Sequence, residues 1–308
     1  GAGHTEVSYG ARTLPGDGGR AMKIIHITDT HLSGTHPVFQ LNWCMARKAL
    51  LAHAPDLVIH TGDAAISDPD RAEDLRFAKE EMDRLGLPYL IVPGNHDIGD
   101  NPLPAEWLGK QPKPCTEARR AVWREVFGPD FWMQEIEGIR FVGLNAQLFG
   151  TGLAAEAEQW EMLREAFGAG GRIVLVTHKP LYSQTDGSDL PLNSIPEADS
   201  REIEALARDA GVLLHLSGHL HRFKVVERGF PRVWGASTAF VCSHEKMSRR
   251  NGRMEVGLQS VTLEPTPEVR FVPVLDAITM DIRTWLDPES GGLTNILSEP
   301  SPITVPAP

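Results

Sequence analysis

The sequence predicts an α/β fold organised on a parallel sheet whose strands end in polar side chains along one edge. Three observations carry this. Apolar, β-branched runs at 22–28 (MKIIHIT), 57–60 (LVIH) and 88–92 (PYLIV) alternate with helical periodicity at 39–53 and 70–85. Each run gives way to polar groups: Asp29 and His31 directly, Asp63 after Gly62, and Asn95-His96-Asp97 after Pro93-Gly94. Strand–helix repeats of this kind form parallel sheets with right-handed crossovers, and open α/β folds place their sites outside the carboxyl ends of the strands.

The elements follow in order. In 39–53, Phe39, Trp43, Ala46 and Leu50 recur on one helical face until Pro55 ends the segment; in 70–85 the stripe is Leu75, Ala78 and Met82. Leu90, Ile91 and Val92 have the unbroken apolarity of a strand buried on both faces. Residues 98–116, with four prolines, two lysines and Trp107, predict an irregular flap over the strand ends. A helix is expected at 117–127, then a hairpin of 132–136 with 139–144 turning at Glu137-Gly138. A helix at about 155–167 leads to a strand at 172–176 that stops at Thr177-His178-Lys179-Pro180. After a long loop, 181–198, come a helix at about 199–210 and a strand at 212–216 ending in Ser217-Gly218-His219-Leu220-His221. Short strands at 222–227, 231–235, 255–263 and 268–274 then predict antiparallel pairing that closes a second sheet. The expected organisation is a flexible leader at 1–21, one domain at 22–284 and a Pro-, Ser- and Gly-rich tail at 285–308.

Composition narrows the function classes. A 308-residue chain with 41% hydrophobic residues has ample material for a core. Thirty basic against forty-one acidic residues give a formal charge of −11, which opposes non-specific binding to nucleic acid and to anionic membranes. Three well-separated cysteines (Cys44, Cys115, Cys242) form neither a CxxC pair nor a disulfide framework, so free thiols in a reducing compartment are expected. No apolar run approaches the ~20 residues of a membrane span. The first residues lack the apolar segment of a secretory signal, so a cytoplasmic location is expected. Homo-oligomerisation is left open.

Five strand ends thus carry Asp29/His31, Asp63, Asn95/His96/Asp97, His178 and His219/His221. In extended chain, residues two apart share a side, so Asp29 with His31, and His219 with His221, are expected to aim inward together. Imidazole with carboxylate suits Zn, Fe or Mn, and the absence of cysteine argues against a structural thiolate site. Asp29, His31, Asp63, Asn95, His178, His219 and His221 exceed what one tetrahedral ion needs. With one bridging carboxylate they suit two ions ~3.5–4 Å apart, as in hydrolytic two-metal sites. Singly, an Asp-x-His, a Gly-Asp or a strand-end histidine is an ordinary cap or turn. Their coincidence at five successive strand ends is what points to one shared metal site. His26, His60 and His215 precede the site on strands and are read as core or supporting groups rather than ligands. His36, in the first loop, is a candidate substrate contact. His4, His53 and His244 have no warrant beyond exposure or loop position. Trp107, Lys110 and Lys113 are read as exposed flap, and Arg249-Arg250 as a solvated charge run.

In this order, D-x-H (29–31), G-D (62–63), G-N-H-D (94–97), a later His (178) and G-H-x-H (218–221) resemble the calcineurin-like metallophosphoesterase family, from about residue 22 to about 240. The D-T-H start looks most like its class III cyclic-nucleotide and glycerophosphodiester phosphodiesterases. GNHDIGDNP with VFGPDFW is also similar to a cytosolic protein-phosphatase-like branch. Purple acid phosphatases match less well, because residues 62–66 (GDAAI) lack their tyrosine. The resemblance implies two packed mixed β-sheets flanked by helices, a four-layer αββα sandwich. It further implies a first metal on Asp29, His31, Asp63 and His221, and a second on the bridging Asp63 with Asn95, His178 and His219. His96 then faces the substrate phosphate beside Asn95, with Asp97 able to orient it. The expected cofactors are two divalent or trivalent ions of Mn, Fe or Zn. The expected chemistry is in-line attack of hydroxide, formed from metal-bound water, on a small organic phosphodiester, with His96 stabilising the transition state or protonating the leaving oxygen. A phosphomonoesterase, including a protein Ser/Thr phosphatase, is the alternative, followed by a nuclease or a non-catalytic scaffold.

Overall fold

The computed structural model describes residues 21–66, 68–103, 112–184, 192–243 and 252–282. The leader but for its last residue, the whole tail, and His4, Trp107, Lys110, His244, Arg249 and Arg250 lie outside them.

The first third alternates as expected: β1 (Ile24–Ile27), α1 (Gln40–Ala52), β2 (Leu57–His60), α2 (Ala72–Asp83) and β3 (Tyr89–Ile91). β1, β2 and β3 pair in parallel. After a single turn of helix, α3 (Asn95–Ile98), come α4 (Glu117–Phe127) and the hairpin β4 (Trp132–Ile136) with β5 (Ile139–Leu144). Its turn residues Glu137 and Gly138 both have positive φ, 49° and 74°, the backbone of the tight turns that match strand twist. Next are α5 (Ala154–Gly168), β6 (Arg172–Thr177), α6 (Glu197–Ala210) and β7 (Leu214–Ser217). The chain continues with β8 (Lys224–Arg228), β9 (Phe230–Trp234), β10 (Gly257–Thr262) and β11 (Glu268–Pro273).

The strands sort into a five-stranded sheet, β11-β10-β1-β2-β3, and a six-stranded sheet, β4-β5-β6-β7-β9-β8. This corrects one expectation. The four late strands do not close a sheet of their own. β8 and β9 extend the second sheet, with β9 parallel to β7, whereas β10 returns to pair antiparallel with β1 and brings β11 with it. Antiparallel pairing holds within each hairpin, but local pattern does not encode which older strand a hairpin joins.

Period-two alternation assembles the layers. Ile24, Leu57, Ile59, Leu90 and Val92 face Phe141, Val174, Val176, Leu214, Leu216 and Val233 between the sheets. The opposite faces of β1 and β2, Ile25, Ile27 and Val58, pack with Trp43, Leu50, Leu75, Met82 and Trp123 from α1, α2 and α4. Val142, Leu144, Ile173 and Leu175 pack with Leu163, Ile203 and Ala207 from α5 and α6. The order is therefore helix, sheet, sheet, helix, as the resemblance implied. Parallel strands of both sheets discharge their carboxyl ends at one end of this sandwich.

Candidate metal centre

Past the ends of β1 and β2 the loops run on side by side. Asp29 N donates to Gly62 O at 2.9 Å, His31 N to Asp63 O at 3.1 Å and Leu32 N to Ala64 O at 2.8 Å. The backbone here is not extended. Asp29, His31, Asp63, His219 and His221 have φ of 52°, 46°, 54°, 67° and 50°, a region that costs a non-glycine residue ~1–2 kcal/mol. The extended geometry expected for the Asp-x-His and His-x-His pairs is thus corrected. Both members do point inward, but by left-handed turns, braced at Asp29 and His31 by the knitted loops and at His219 by its N–H bond to Asp29 Oδ2 at 3.0 Å, and such strain gathers at functional sites. Two glycines let the loops touch: a Cβ at Gly94 would lie 2.1 Å from Asp63 Oδ1, and one at Gly218 would lie 1.9 Å from Thr28 Oγ1.

Seven side chains, separated by up to 192 positions from Asp29 to His221, meet at this end of the sandwich. His221 Nε2 is 3.1 Å from Asp29 Oδ1, and His31 Nε2 is 3.9 Å from both Asp29 Oδ1 and Asp63 Oδ2. His178 Nε2 stands 3.2 Å from Asp63 Oδ2, 3.1 Å from Asn95 Oδ1 and 3.1 Å from His219 Nδ1. The groups Asp29–His31–His221 and Asp63–His178–His219 each present ligand atoms within 4.8 Å of one another, and a third group joins His31, Asp63 and His96. Asp63 is common to the last two.

Each imidazole is held from behind. His31 Nδ1 lies 2.8 Å from Ile66 O, His178 Nδ1 2.7 Å from Thr61 O, His221 Nδ1 2.9 Å from Phe240 O and His219 Nε2 2.8 Å from Leu192 O. A carbonyl only accepts, so these outer nitrogens carry the protons. In a neutral ring the inner nitrogen is then a lone pair, and the lone pairs oppose each other: His31 to His221 at 3.4 Å, His178 to His219 at 3.1 Å. A proton within a pair relieves that pair at the cost of a buried charge, whereas a cation at each pair accepts both of its lone pairs at once. Asp29 Oδ1 is likewise buried without a donor, while its Oδ2 accepts from Thr28 Oγ1 and His219 N. The residues present fit a divalent transition metal on N and O donors.

The electrostatics agree. Burial opposes charge on Asp63, but the imidazoles of His178 and His96 more than offset it and hold the carboxyl well below its usual range. Burial lowers the basicity of His178, yet Asp63 beside it carries the ring up to about 9. His31 is pushed down to about 3, by burial and then by His96. The site therefore holds two carboxylates as anions deep in the protein, a demand that bound cations satisfy.

His96 differs from the seven. Its side chain is 28% exposed, its Nε2 is 3.8 Å from Asp63 Oδ2, and its backbone N–H donates to Asp63 Oδ1 at 2.9 Å. Asp97 is fully buried and accepts from the backbone N–H groups of Gly94 at 2.7 Å, Ala65 at 2.9 Å and Ala64 at 3.3 Å. Its carboxylate thus ties the Asp63 loop to the Asn95 turn, a role the residue pattern had not suggested. His36 is held beside Thr35, Ser33 and Arg71 and belongs to none of the three groups. Lys113 pairs with Asp68 and Asp70. His26, His60 and His215 are buried supports, as expected. Lys179, which the sequence pattern does not single out, is fully buried and paired with Asp100. Its position next to His178 at a strand end was the available signal.

The calcineurin-like phosphoesterase family model matches residues 22–223. A probable glycerophosphodiester phosphodiesterase of Arcobacter nitrofigilis is 27% identical over 214 residues, 65% of this chain and 72% of that protein. A serine/threonine-protein phosphatase of Bos taurus is 28% identical over 182 residues, 54% of each chain. A purple acid phosphatase from yellow lupin superposes with a TM-score of 0.59 at 14% identity, over 85% of this chain and 53% of the other, a likeness of fold alone.

Proposed function

Since this chain belongs to the calcineurin-like phosphoesterase family, we propose that it hydrolyses a small organic phosphodiester at a binuclear metal centre. The observation that carries the proposal is the set of four imidazoles, each anchored outward to a carbonyl, whose inner nitrogens converge with Asp29 and Asp63. Asp29, His31, Asp63 and His221 would hold one ion, and Asp63, Asn95, His178 and His219 the other. When bound, the ions activate water as nucleophile near neutral pH and neutralise phosphoryl oxygens. Mn, Fe and Zn suit these donors.

The remaining chemistry belongs to the chain. Asp63 is the shared ligand, and its Oδ1 is already engaged by His96 N–H, which fixes the carboxylate plane. His96, a partly exposed imidazole at this cluster that is not among the seven, faces the incoming ester with Asn95. From there it donates a proton to the leaving alcohol or stabilises the charge that develops on it. His36 remains a candidate substrate contact farther along the first loop. The reading of a diester over a monoester rests on charge. A dianionic monoester favours additional cations, and among the described residues Lys179 and Lys113 are committed to Asp100 and to the Asp68–Asp70 pair. The phosphodiesterase relative supports the same choice, and the protein phosphatase relative keeps phosphomonoester or phosphoprotein hydrolysis as the second reading. The net charge of −11 counts against a nuclease, and the complete ligand set counts against a scaffold without activity. None of the three cysteines is in a disulfide, and among the described residues no helix is long and apolar enough to cross a membrane; the cytoplasm is kept as the proposed location.

Aryl phosphate mono- and diesters, compared at fixed Mn²⁺ or Zn²⁺, test the substrate class; diester turnover is expected to dominate, and monoester turnover far above it reverses the order. For His96→Ala we expect metal content within error of wild type and a kcat lower by ~10²–10⁴. Metal analysis by mass spectrometry on the same sample checks the assignment, because a variant that has lost an ion makes His96 a ligand.

A further inference from the structure

Three histidines lie wholly buried inside the strands that lead to the site: His26, His60 and His215. An apolar side chain would fill such positions without the desolvation that a buried imidazole incurs. Each instead meets a threonine one or two residues from a site residue. His26 Nε2 is 2.9 Å from Thr61 Oγ1, His60 Nε2 3.1 Å from Thr30 Oγ1, and His215 Nε2 2.8 Å from Thr177 Oγ1. Thr30 sits between Asp29 and His31, Thr61 accepts His178 Nδ1–H on its carbonyl, and Thr177 immediately precedes His178.

The third pair has its direction fixed by its neighbours. Thr177 Oγ1 lies 2.6 Å from Lys179 O, and a carbonyl only accepts, so the single hydroxyl proton goes there. The hydroxyl must then accept from His215, which places the imidazole proton on Nε2. Thr177 and Lys179 flank His178, and the hydroxyl therefore closes the one-residue turn in which His178 stands.

We propose that His215, acting through Thr177, is a positioning residue for His178: its Nε2–H→Thr177 Oγ1–H→Lys179 O chain sets the turn that aims His178 Nε2 at Asp63, Asn95 and His219. The inference rests on the reading that these residues hold a cation. It extends that reading to a second tier, where partners of ligands govern affinity. Ring and turn are then held from two directions, by Thr61 O on Nδ1 and by the His215–Thr177 chain on the backbone.

The test uses the full chain and Mn²⁺ and Zn²⁺ as probes. Thr177→Val keeps the side-chain shape and deletes the hydroxyl; Thr177→Ser and His215→Gln keep the hydroxyl and a ring-position donor. Calorimetric titration of metal into each stripped protein is expected to show the weaker-binding equivalent ~10–100-fold weaker in Thr177→Val. Binding within about threefold of wild type is expected in Thr177→Ser and His215→Gln, and saturating Mn²⁺ is expected to restore most of the kcat of Thr177→Val. A Thr177→Val protein that binds both equivalents as tightly as wild type overturns the positioning role, even if its melting temperature falls. Wild type that takes up only one equivalent overturns the two-ion reading itself, a distinct result. If Thr177→Val does not fold, His215→Leu against His215→Gln decides by the same titration, and equal affinities in those two overturn the proposal.

Discussion

Asp63→Asn is expected to abolish the loading of at least one metal ion and to lower turnover by ~10³ or more, the several kcal/mol that metal ions supply to charge stabilisation. The substitution is chosen because it spares the fold. Asn keeps an Oδ1 for the His96 N–H that Asp63 Oδ1 accepts at 2.9 Å. What changes is the other atom: an amide NH₂ replaces the oxygen that lies 3.2 Å from His178 Nε2 and 3.9 Å from His31 Nε2. With the carboxylate gone the His178 ring is no longer held protonated, and its Nε2 lone pair can accept from that amide, so the metal-free variant should still fold. The contrast appears on adding metal. Wild type at 100 times its dissociation constant should gain about 2.7 kcal/mol, and the variant little or none. Thermal melts with and without Mn²⁺, alongside metal analysis, give both numbers. A variant that retains two ions with lost activity would strip Asp63 of its bridging role.

The strand ends were legible because each signal is local: an apolar run, in three of the five a Gly before the polar group, then Asp, Asn or His. The hairpin at Glu137-Gly138 was legible for the same reason, its turn chemistry lying between two runs of matching length. What stayed hidden is non-local. Whether Gly257–Thr262 joins the sheet of β1 or that of β9 depends on partners more than twenty residues away, and both strands have the same pattern. The left-handed backbone at Asp29, His31, Asp63, His219 and His221 was invisible as well, since these are not glycines and their bracing is tertiary: two loops knitted together at Asp29, His31 and Asp63, and the Asp29 carboxylate accepting from His219 N–H. Asp97 illustrates the limit. Its place beside His96 suggested a partner for that ring, yet adjacent side chains diverge, and its carboxylate serves the backbone of Gly94, Ala64 and Ala65. Residue type announced a polar role; only tertiary structure assigned the recipient.

Lys179 is the residue whose loss should most damage the fold. Its ammonium is completely buried, bonded to Asp100 and, at 2.7 Å, to Asn101 Oδ1. Asp100 in turn exchanges backbone hydrogen bonds with Lys113 and Cys115, and Asn101 Nδ2 donates to Ala146 O and Phe149 O at 2.8 and 2.9 Å. One lysine thus joins the end of β6, the root of the 98–116 segment and the turn after β5. Lys179→Met keeps the length of the stem and removes the charge, leaving the buried Asp100 carboxylate without its countercharge, although the Asn101 N–H still donates to its Oδ1 at 2.8 Å, and depriving the Asn101 side-chain carbonyl of the ammonium. Breaking one side of a buried ion pair costs about 3–5 kcal/mol, a large share of the ~5–15 kcal/mol that stabilises a domain. Adding Asp100→Asn should recover a substantial part, since a neutral amide is far cheaper to bury than an unpaired carboxylate. Urea unfolding of the three proteins without added metal measures this directly. A single-variant loss below about 1 kcal/mol, or a double variant no more stable than Lys179→Met, would mean that the charge is not what holds these three segments together.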